Sequence, residues 1–143
     1  MQSLAAWAGA SQQGRPEHRT LTESEVHALC QGGLVDVGAH TVSHPVLSKL
    51  SDVEQEAEIV NSKSELERIV GRPILGLAYP FGTRADYSKT TTRLTSDAGF
   101  AYACSNFPET VHWQSDCYQL PRFLVRDWSA DEFSHHLEEW FAA

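Results

Sequence analysis

Apolar residues recur at helical spacing in three parts of the chain, and each part begins with the same arrangement of polar residues. In this arrangement, a capping box, a serine or threonine is followed three residues later by glutamate, whose carboxylate returns to the start of the helix. Capping boxes begin at Thr22, Ser51 and Ser129. They predict a short first helix, a long helix over 52–70 and a closing helix over 130–141.

Short apolar segments lie between the predicted helices and are bounded by glycine and proline. We expect strands over 34–40 (LVDVGAH), 74–82 (ILGLAYPFG), 100–104 (FAYAC) and 122–125 (RFLV). A weaker helical pattern covers 87–97. The strands are too apolar to keep one face in water, and strands of that kind alternate with helices in parallel sheets. The pattern therefore predicts an α/β fold with mostly parallel strands.

Length and charge restrict the possible partners. The chain has 143 residues, which suits one domain with a single core. Its formal net charge is −8 and its eleven lysines and arginines are scattered, which argues against a nucleic-acid or anionic-membrane surface. No apolar run approaches the ~18–20 residues of a membrane span. No basic residue precedes the apolar segment near the N-terminus, so we predict no signal peptide and expect a cytoplasmic location.

Two histidines follow the first predicted strand. His40 and His44 are four residues apart, as in zinc-protease helices, but Thr41 replaces the glutamate of that motif. Pro45 disfavours a helix through the pair, so both imidazoles are expected in a tight loop at the strand end. Catalytic groups of α/β folds collect at such ends. The alternatives are a metal site and two histidines satisfied by ordinary hydrogen bonds.

The segment "HTVSHP", residues 40–45, resembles the H-[ST]-x-x-H motif of the polysaccharide deacetylases (carbohydrate esterase family 4, the NodB-homology domain). A second segment, "GRPILGLAYPFG" over 71–82, resembles the "FAYPYG"-type segment of one branch of that family. "DAGFAYAC" and "LPRFLV" follow in the order of its later strands. The resemblance covers residues 20–143 and leaves 1–19 as a loose lead-in.

This resemblance implies a fold and a chemistry. The fold would be part of a (β/α) barrel, and the activity would be hydrolysis of N- or O-acetyl groups on a carbohydrate with a divalent metal, commonly zinc. By the same resemblance, His40 and His44 are metal ligands. The backbone N–H of Phe81 would stabilise the oxyanion.

Further residues take roles from the same resemblance. Tyr79 and Pro80 would shape the wall that receives the substrate. Arg122 would supply a guanidinium that orients a base, with an ordinary salt bridge at a strand edge as the alternative.

The family's adjacent aspartates, in a T-F-D-D strand, have no counterpart here, because the sequence contains no Asp-Asp. One of them is the third metal ligand and the other is the general base. Asp36 is ~13 Å along the strand from His40, beyond the ~2 Å of a metal–oxygen bond. Asp86 follows a strand end and is an alternative ligand, whereas Asp127 is expected in a solvated turn. The chain is thus expected to hold the C-terminal two thirds of such a domain.

Two functional hypotheses follow. The first is a metal-dependent carbohydrate deacetylase whose aspartates come from elsewhere, and the second is a non-catalytic remnant that acts as a binding or interaction module. A parallel sheet without its first strands has an unpaired edge. We therefore expect a homo-oligomer or a complementing chain at that edge.

Overall fold

The computed structural model describes residues 19–142, so the predicted lead-in lies outside it except for Arg19. Its regular elements are the helices α1 (Glu23–Gln31), α2 (Asp52–Val70), α3 (Lys89–Asp97) and α4 (Ala130–Phe141), the strands β1 (Gly76–Ala78) and β2 (Tyr102–Cys104), and a 3₁₀ turn at Leu47–Lys49. Within this range, no helix combines the length and apolar character that crossing a bilayer requires.

The three predicted capping boxes are confirmed. Each of α1, α2 and α4 begins with a hydroxyl that accepts the N–H of a glutamate, and that glutamate accepts the N–H of the capping residue. A fourth box, formed by Ser88 and Thr91, begins α3. The long helix α2 ends at Gly71, whose φ of 73° is in the left-handed region that favours glycine. Local sequence therefore determines where the helices begin.

The sheet is parallel and open. Strands β1 and β2 pair in register from Gly76 opposite Tyr102 to Ala78 opposite Cys104. Isolated parallel bridges extend the sheet on both sides, from Ala39 to Leu77 and from Leu120 to Cys104. The prediction of a partial α/β fold with parallel strands is confirmed, and over the described residues the sheet does not close into a barrel.

All four predicted strands are longer than the observed pairing: 74–82 and 100–104 shorten to β1 and β2, and the other two are almost absent. Of residues 34–40, only Ala39 pairs, and Leu34 is 95% exposed because nothing in the described range covers the outer side of this segment. Residues 122–125 form no strand, and the pairing with β2 occurs earlier, at Leu120. The next N–H on the same side, that of Arg122, donates at 3.1 Å to the carbonyl of Phe107, beyond the end of β2.

The core lies between the sheet and α2. Three residues in register, Ala39, Leu77 and Ala103, are each 1% exposed or less and form a row across the sheet. Helix α2 contributes the fully buried Ile59 and packs against α1 and α3. Helix α4 buries no residue completely. It is attached through Trp140, which stacks on Phe123 with ring centroids 4.2 Å apart.

The packing of α2 predicts unequal effects of two neighbouring truncations. Ile59→Ala should lower the free energy of unfolding by about 2–5 kcal/mol, because it leaves a cavity in the core. Val60→Ala is the matched control on the exposed side of the same helix and should cost less than about 1 kcal/mol. Urea unfolding followed by circular dichroism measures both, and equal losses would contradict this packing.

Candidate functional site

The imidazole of His40 lies beside the carboxyl end of strand β1. His40 follows Ala39 directly, and its Nδ1 lies 2.7 Å from the carbonyl oxygen of Ala78 at the end of β1. Because a carbonyl oxygen only accepts hydrogen bonds, Nδ1 carries the proton in this contact. The Nε2 atom of the neutral ring therefore keeps its lone pair for a metal or a substrate proton.

The loop after His40 has an unusual backbone. Thr41 and His44 have positive φ angles of 65° and 59°, in the left-handed region that residues with a Cβ seldom adopt. The prediction of a tight non-helical loop is confirmed, although Pro45 leaves His44 left-handed rather than extended. The hydroxyl of Thr41 stabilises the turn by accepting the N–H of His44 at 3.1 Å.

A carboxylate from α2 holds this loop in place. Glu58 accepts the N–H of Val42 at 2.7 Å and the N–H of Ser43 at 2.9 Å. It also accepts the Ser43 hydroxyl at 2.6 Å. Burial opposes ionisation of Glu58, but these three hydrogen bonds outweigh it and lower its pKa below the ordinary glutamate value. No local sequence signal marks this role of Glu58, because its partners are 15 and 16 residues away in the chain.

The second imidazole lies between the first and an aromatic ring. His44 meets His40 edge to face with ring centroids 4.8 Å apart, and it meets Phe81 in the same way, also at 4.8 Å. Phe81 lies in the loop after β1 and has a φ of 59°. Asn106, after β2, donates to the Phe81 carbonyl at 3.1 Å. His40 and Phe81, which are 41 positions apart in sequence, thus lie on either side of His44 in one small surface.

The backbone N–H of Phe81 has no acceptor within residues 19–142. It lies at the carboxyl end of β1, in the residue whose ring contacts His44. A backbone donor without an acceptor, beside a candidate catalytic group, is the feature that an oxyanion site needs.

The other predicted site residues have structural contacts. Tyr79 is 1% exposed, and its hydroxyl donates to the carbonyl of Tyr118 at 2.9 Å. Burial raises the pKa of Tyr79. Pro80 is also buried, so both residues support the Phe81 loop from behind. Arg122 donates from Nε to the carbonyl of Ser105 at 2.7 Å, and no carboxylate of the described range forms an ion pair with it.

The described residues supply only part of a metal site. Two imidazoles suit zinc by donor chemistry, but catalytic zinc takes three protein ligands. No group of three or more histidine, cysteine, aspartate or glutamate side chains in residues 19–142 is placed to hold an ion. Asp36 instead pairs with Arg72 at 2.8 Å, and Asp86 accepts the N–H of Thr83 at 2.9 Å. The part of the site that residues 19–142 supply therefore lacks an anionic ligand.

A groove of about 820 Å³ adjoins His40. Its walls are Gly38 and residues 40–42 on the sheet side and side chains of α2 between Asn61 and Arg68 on the other, and we call it the edge groove. Paired imidazoles and a free backbone N–H at the ends of adjacent parallel strands, beside an open groove, are elements that metal-dependent hydrolases use.

Comparison with known proteins identifies the family. Residues 5–103 match the family model described as Polysaccharide deacetylase, and the chain belongs to this family. YxkH of Bacillus subtilis (strain 168), whose name refers to polysaccharide deacetylases, is 24% identical over 105 residues. The aligned part is 73% of this chain and 36% of YxkH. The family resemblance predicted from the two motifs is confirmed.

Solved structures show the same fold. The Streptococcus pyogenes deacetylase PplD, solved in complex with acetate, superposes with a TM-score of 0.74 at 21% identity, over 84% of this chain and 52% of PplD. The polysaccharide deacetylase BC0361 from Bacillus cereus superposes with a TM-score of 0.71 at 23% identity, over 84% of this chain and 37% of BC0361. The chain therefore spans about half or less of the length of these relatives.

The contacts of Glu58 predict a pH-dependent contribution to stability. Because folding lowers the pKa of Glu58, its ionised form stabilises the fold above the ordinary glutamate pKa of about 4.3. This contribution disappears as the pH falls through the lowered value. Glu58→Gln should cost about 1–3 kcal/mol at pH 7, since it removes a charged acceptor from three donors. The free energy of unfolding of this variant should also fall less between neutral and acid pH than that of the unsubstituted chain.

The control is Glu56→Gln, an exposed position two residues away on the same helix. It should change stability at pH 7 by less than about 0.5 kcal/mol. Urea unfolding at a series of pH values measures both variants. A Glu58→Gln profile parallel to that of the unsubstituted chain would show that Glu58 does not hold the histidine loop.

Proposed function

We propose that this chain is part of a metal-dependent hydrolase that removes acetyl groups from a carbohydrate. The observation that carries the proposal is the pair of imidazoles at a strand end, with the tautomer of His40 set by the carbonyl of Ala78. Family membership supports it, because it places this pair in a fold named for polysaccharide deacetylation.

In this proposal, each part of the site has a separate task. His40 and His44 bind the metal, for which zinc is the best chemical match to two imidazoles. A bound divalent metal would polarise the acetyl carbonyl and lower the pKa of a bound water. The N–H of Phe81 donates to the carbonyl oxygen as negative charge develops there. Glu58 keeps the loop between the two histidines in its strained conformation.

The proposal requires a carboxylate from outside residues 19–142 or from another chain. Two neutral imidazoles provide neither an anionic ligand nor a base that takes a proton from water. The described residues do not by themselves complete a metal site. A second copy or a complementing chain is therefore part of the proposal, and an acetylated carbohydrate is the substrate class. The cytoplasmic location stays a prediction.

A second candidate function is a non-catalytic binding module. The absence of a third metal ligand from the described range favours it. In that case the groove beside His40 would bind a sugar or a protein segment without hydrolysis. The two candidates differ in one property, which is whether the chain binds a metal through its histidine pair.

Zinc binding by the purified chain tests the proposal. Calorimetry should show binding that a His40→Ala, His44→Ala double variant weakens by more than about 100-fold, because loss of ligands exceeds the 10–100-fold effect of losing outer-shell partners. His112→Ala is the control, since His112 is exposed in another loop and should leave binding unchanged. Absence of binding, or binding that survives the double variant, would favour the non-catalytic module.

A further inference from the structure

The loop of Phe81 contains a turn that is rare in proteins. The N–H of Gly82 donates to the carbonyl of Pro80 at 2.6 Å, so the turn closes over three residues. Its central residue, Phe81, has a φ of 59°. A three-residue turn with a positive φ at its centre is the rare and strained form of the γ-turn. Such strain persists only where the surrounding structure maintains it, so the contacts of this turn show what holds Phe81 in place.

One residue after β2 donates to two consecutive carbonyls of the turn. The side-chain amide of Asn106 donates from Nδ2 to the carbonyl of Phe81 at 3.1 Å. Its backbone N–H donates to the carbonyl of Gly82 at 2.8 Å. Because a carbonyl oxygen only accepts hydrogen bonds, the first contact fixes which end of the amide faces the turn. Asn106 thus holds the turn from a neighbouring strand end rather than from within the same loop.

The planarity of peptide groups transmits these contacts to the N–H of Phe81. The peptide between Phe81 and Gly82 has both of its groups bonded, its carbonyl to Asn106 and its N–H to the carbonyl of Pro80. The carbonyl of Pro80 shares a peptide plane with the N–H of Phe81. The peptide bonds of residues 19–142 are trans, so the carbonyl and the N–H of this plane have opposite directions. Fixing the Pro80 carbonyl therefore fixes the direction of the Phe81 N–H.

Close packing leaves little freedom between Asn106 and the turn. Gly82 is buried, and a Cβ atom added to it would lie 3.0 Å from both the Cβ and the backbone nitrogen of Asn106. It would also lie 3.1 Å from the carbonyl oxygen of Tyr79. With a φ of 73°, Gly82 also occupies the left-handed region that favours glycine. The glycine therefore lets the two loops approach closely enough for both hydrogen bonds of Asn106.

Asn106 follows a residue that is held from three directions. Ser105 is fully buried, and its N–H donates to the carbonyl of Leu120 at 2.8 Å. Its hydroxyl lies 2.9 Å from the hydroxyl of Tyr87, and its carbonyl accepts from Nε of Arg122 at 2.7 Å. The chain just after β2 is therefore held firmly, and Asn106 starts from a defined position. In this arrangement, Arg122 supports the turn through Ser105.

We propose that Asn106 is a positioning residue for the oxyanion site. Its two hydrogen bonds keep Phe81 at a positive φ and thereby direct the Phe81 N–H toward the oxygen of a bound acetyl group or acetate. Asn106 does not contact the reacting atoms in this arrangement and acts only through Phe81. The control of the turn rests on the contacts above, whereas its effect on acetyl or acetate binding rests on the proposed function.

The same turn also sets the position of a ring beside the histidine pair. The Phe81 ring meets His44 edge to face with centroids 4.8 Å apart. The ring and the N–H of Phe81 are attached to one Cα, so a change of φ would move them relative to each other. Asn106 thus has the same task for the Phe81 turn that Glu58 has for the histidine loop. Each of the two loops has a polar side chain from another element that maintains a positive φ.

Nuclear magnetic resonance of the metal-free chain tests the positioning. A positive φ brings the N–H and Hα protons of one residue close together, so Phe81 should show a strong nuclear Overhauser effect between them. Asn106→Ala should lose most of this intensity, because the strained turn loses a donor that maintains it. Asn106→Asp should lose it as well, since it keeps the shape but presents a carboxylate oxygen to a carbonyl. Gln114→Ala is the control, which removes an exposed amide from the chain that follows β2.

The positioning would be overturned by a strong effect at Phe81 in both Asn106 variants, or by an equal loss in Gln114→Ala. A loss in Asn106→Ala that Asn106→Asp does not share would also overturn it, since the side chain would then only fill space. Asn106 is exposed, and circular dichroism should show that all variants fold. The unsubstituted chain provides a measurement that needs no variant. A scalar coupling across the hydrogen bond should join the Asn106 amide nitrogen to the Phe81 carbonyl carbon, and its absence would contradict the proposal.

A titration with acetate, the product of the proposed reaction, tests the effect on binding separately. With zinc present, acetate should move the N–H proton of Phe81 downfield in the unsubstituted chain. Asn106→Ala should weaken this binding at least about fivefold, as loss of one well-directed hydrogen bond does. Equal binding by a variant that has lost the turn would reject the role of Asn106 in the oxyanion site. No response at Phe81 in the unsubstituted chain would reject the proposed function and leave the control of the turn in place.

Discussion

Two hydrogen bonds attach Ala39 to β1, and the geometry of the candidate site depends on them. They place His40 beside the end of β1, where its ring meets the carbonyl of Ala78. The same end of β1 leads into the loop of Phe81, whose ring contacts His44. Ala39 is also a member of the buried row that α2 covers, so packing of the core and position of the imidazoles depend on one backbone contact.

Helix α2 contributes to both the core and the site. Ile59 faces the core, and the adjacent Glu58 faces the loop of the two histidines. The loop adopts left-handed angles at two residues with side chains, which costs of order 1–3 kcal/mol each. The three hydrogen bonds to Glu58 offset that cost, because bonds to a charged acceptor are stronger than neutral ones. Helix α2, whose ends are capped by neighbouring residues, thus holds the strained loop of His40 and His44 in place.

Within residues 19–142, the histidine site lacks an anionic ligand and the sheet lacks a neighbouring strand in the same region. The imidazoles have no anionic partner within the described residues, and the strand that leads to them has no second neighbour. Both gaps lie along the edge groove.

The sequence alone determined the starts of the helices, the parallel α/β class and the family, because capping boxes, apolar spacing and the two motifs are local signals. It also placed the two histidines in a tight loop, since Thr41 and Pro45 act on neighbouring backbone. Tertiary structure decided which apolar segments become strands, because a strand exists only where a neighbour accepts its hydrogen bonds. It also decided the role of Glu58 and the burial of Tyr79, which depend on contacts between residues far apart in the chain.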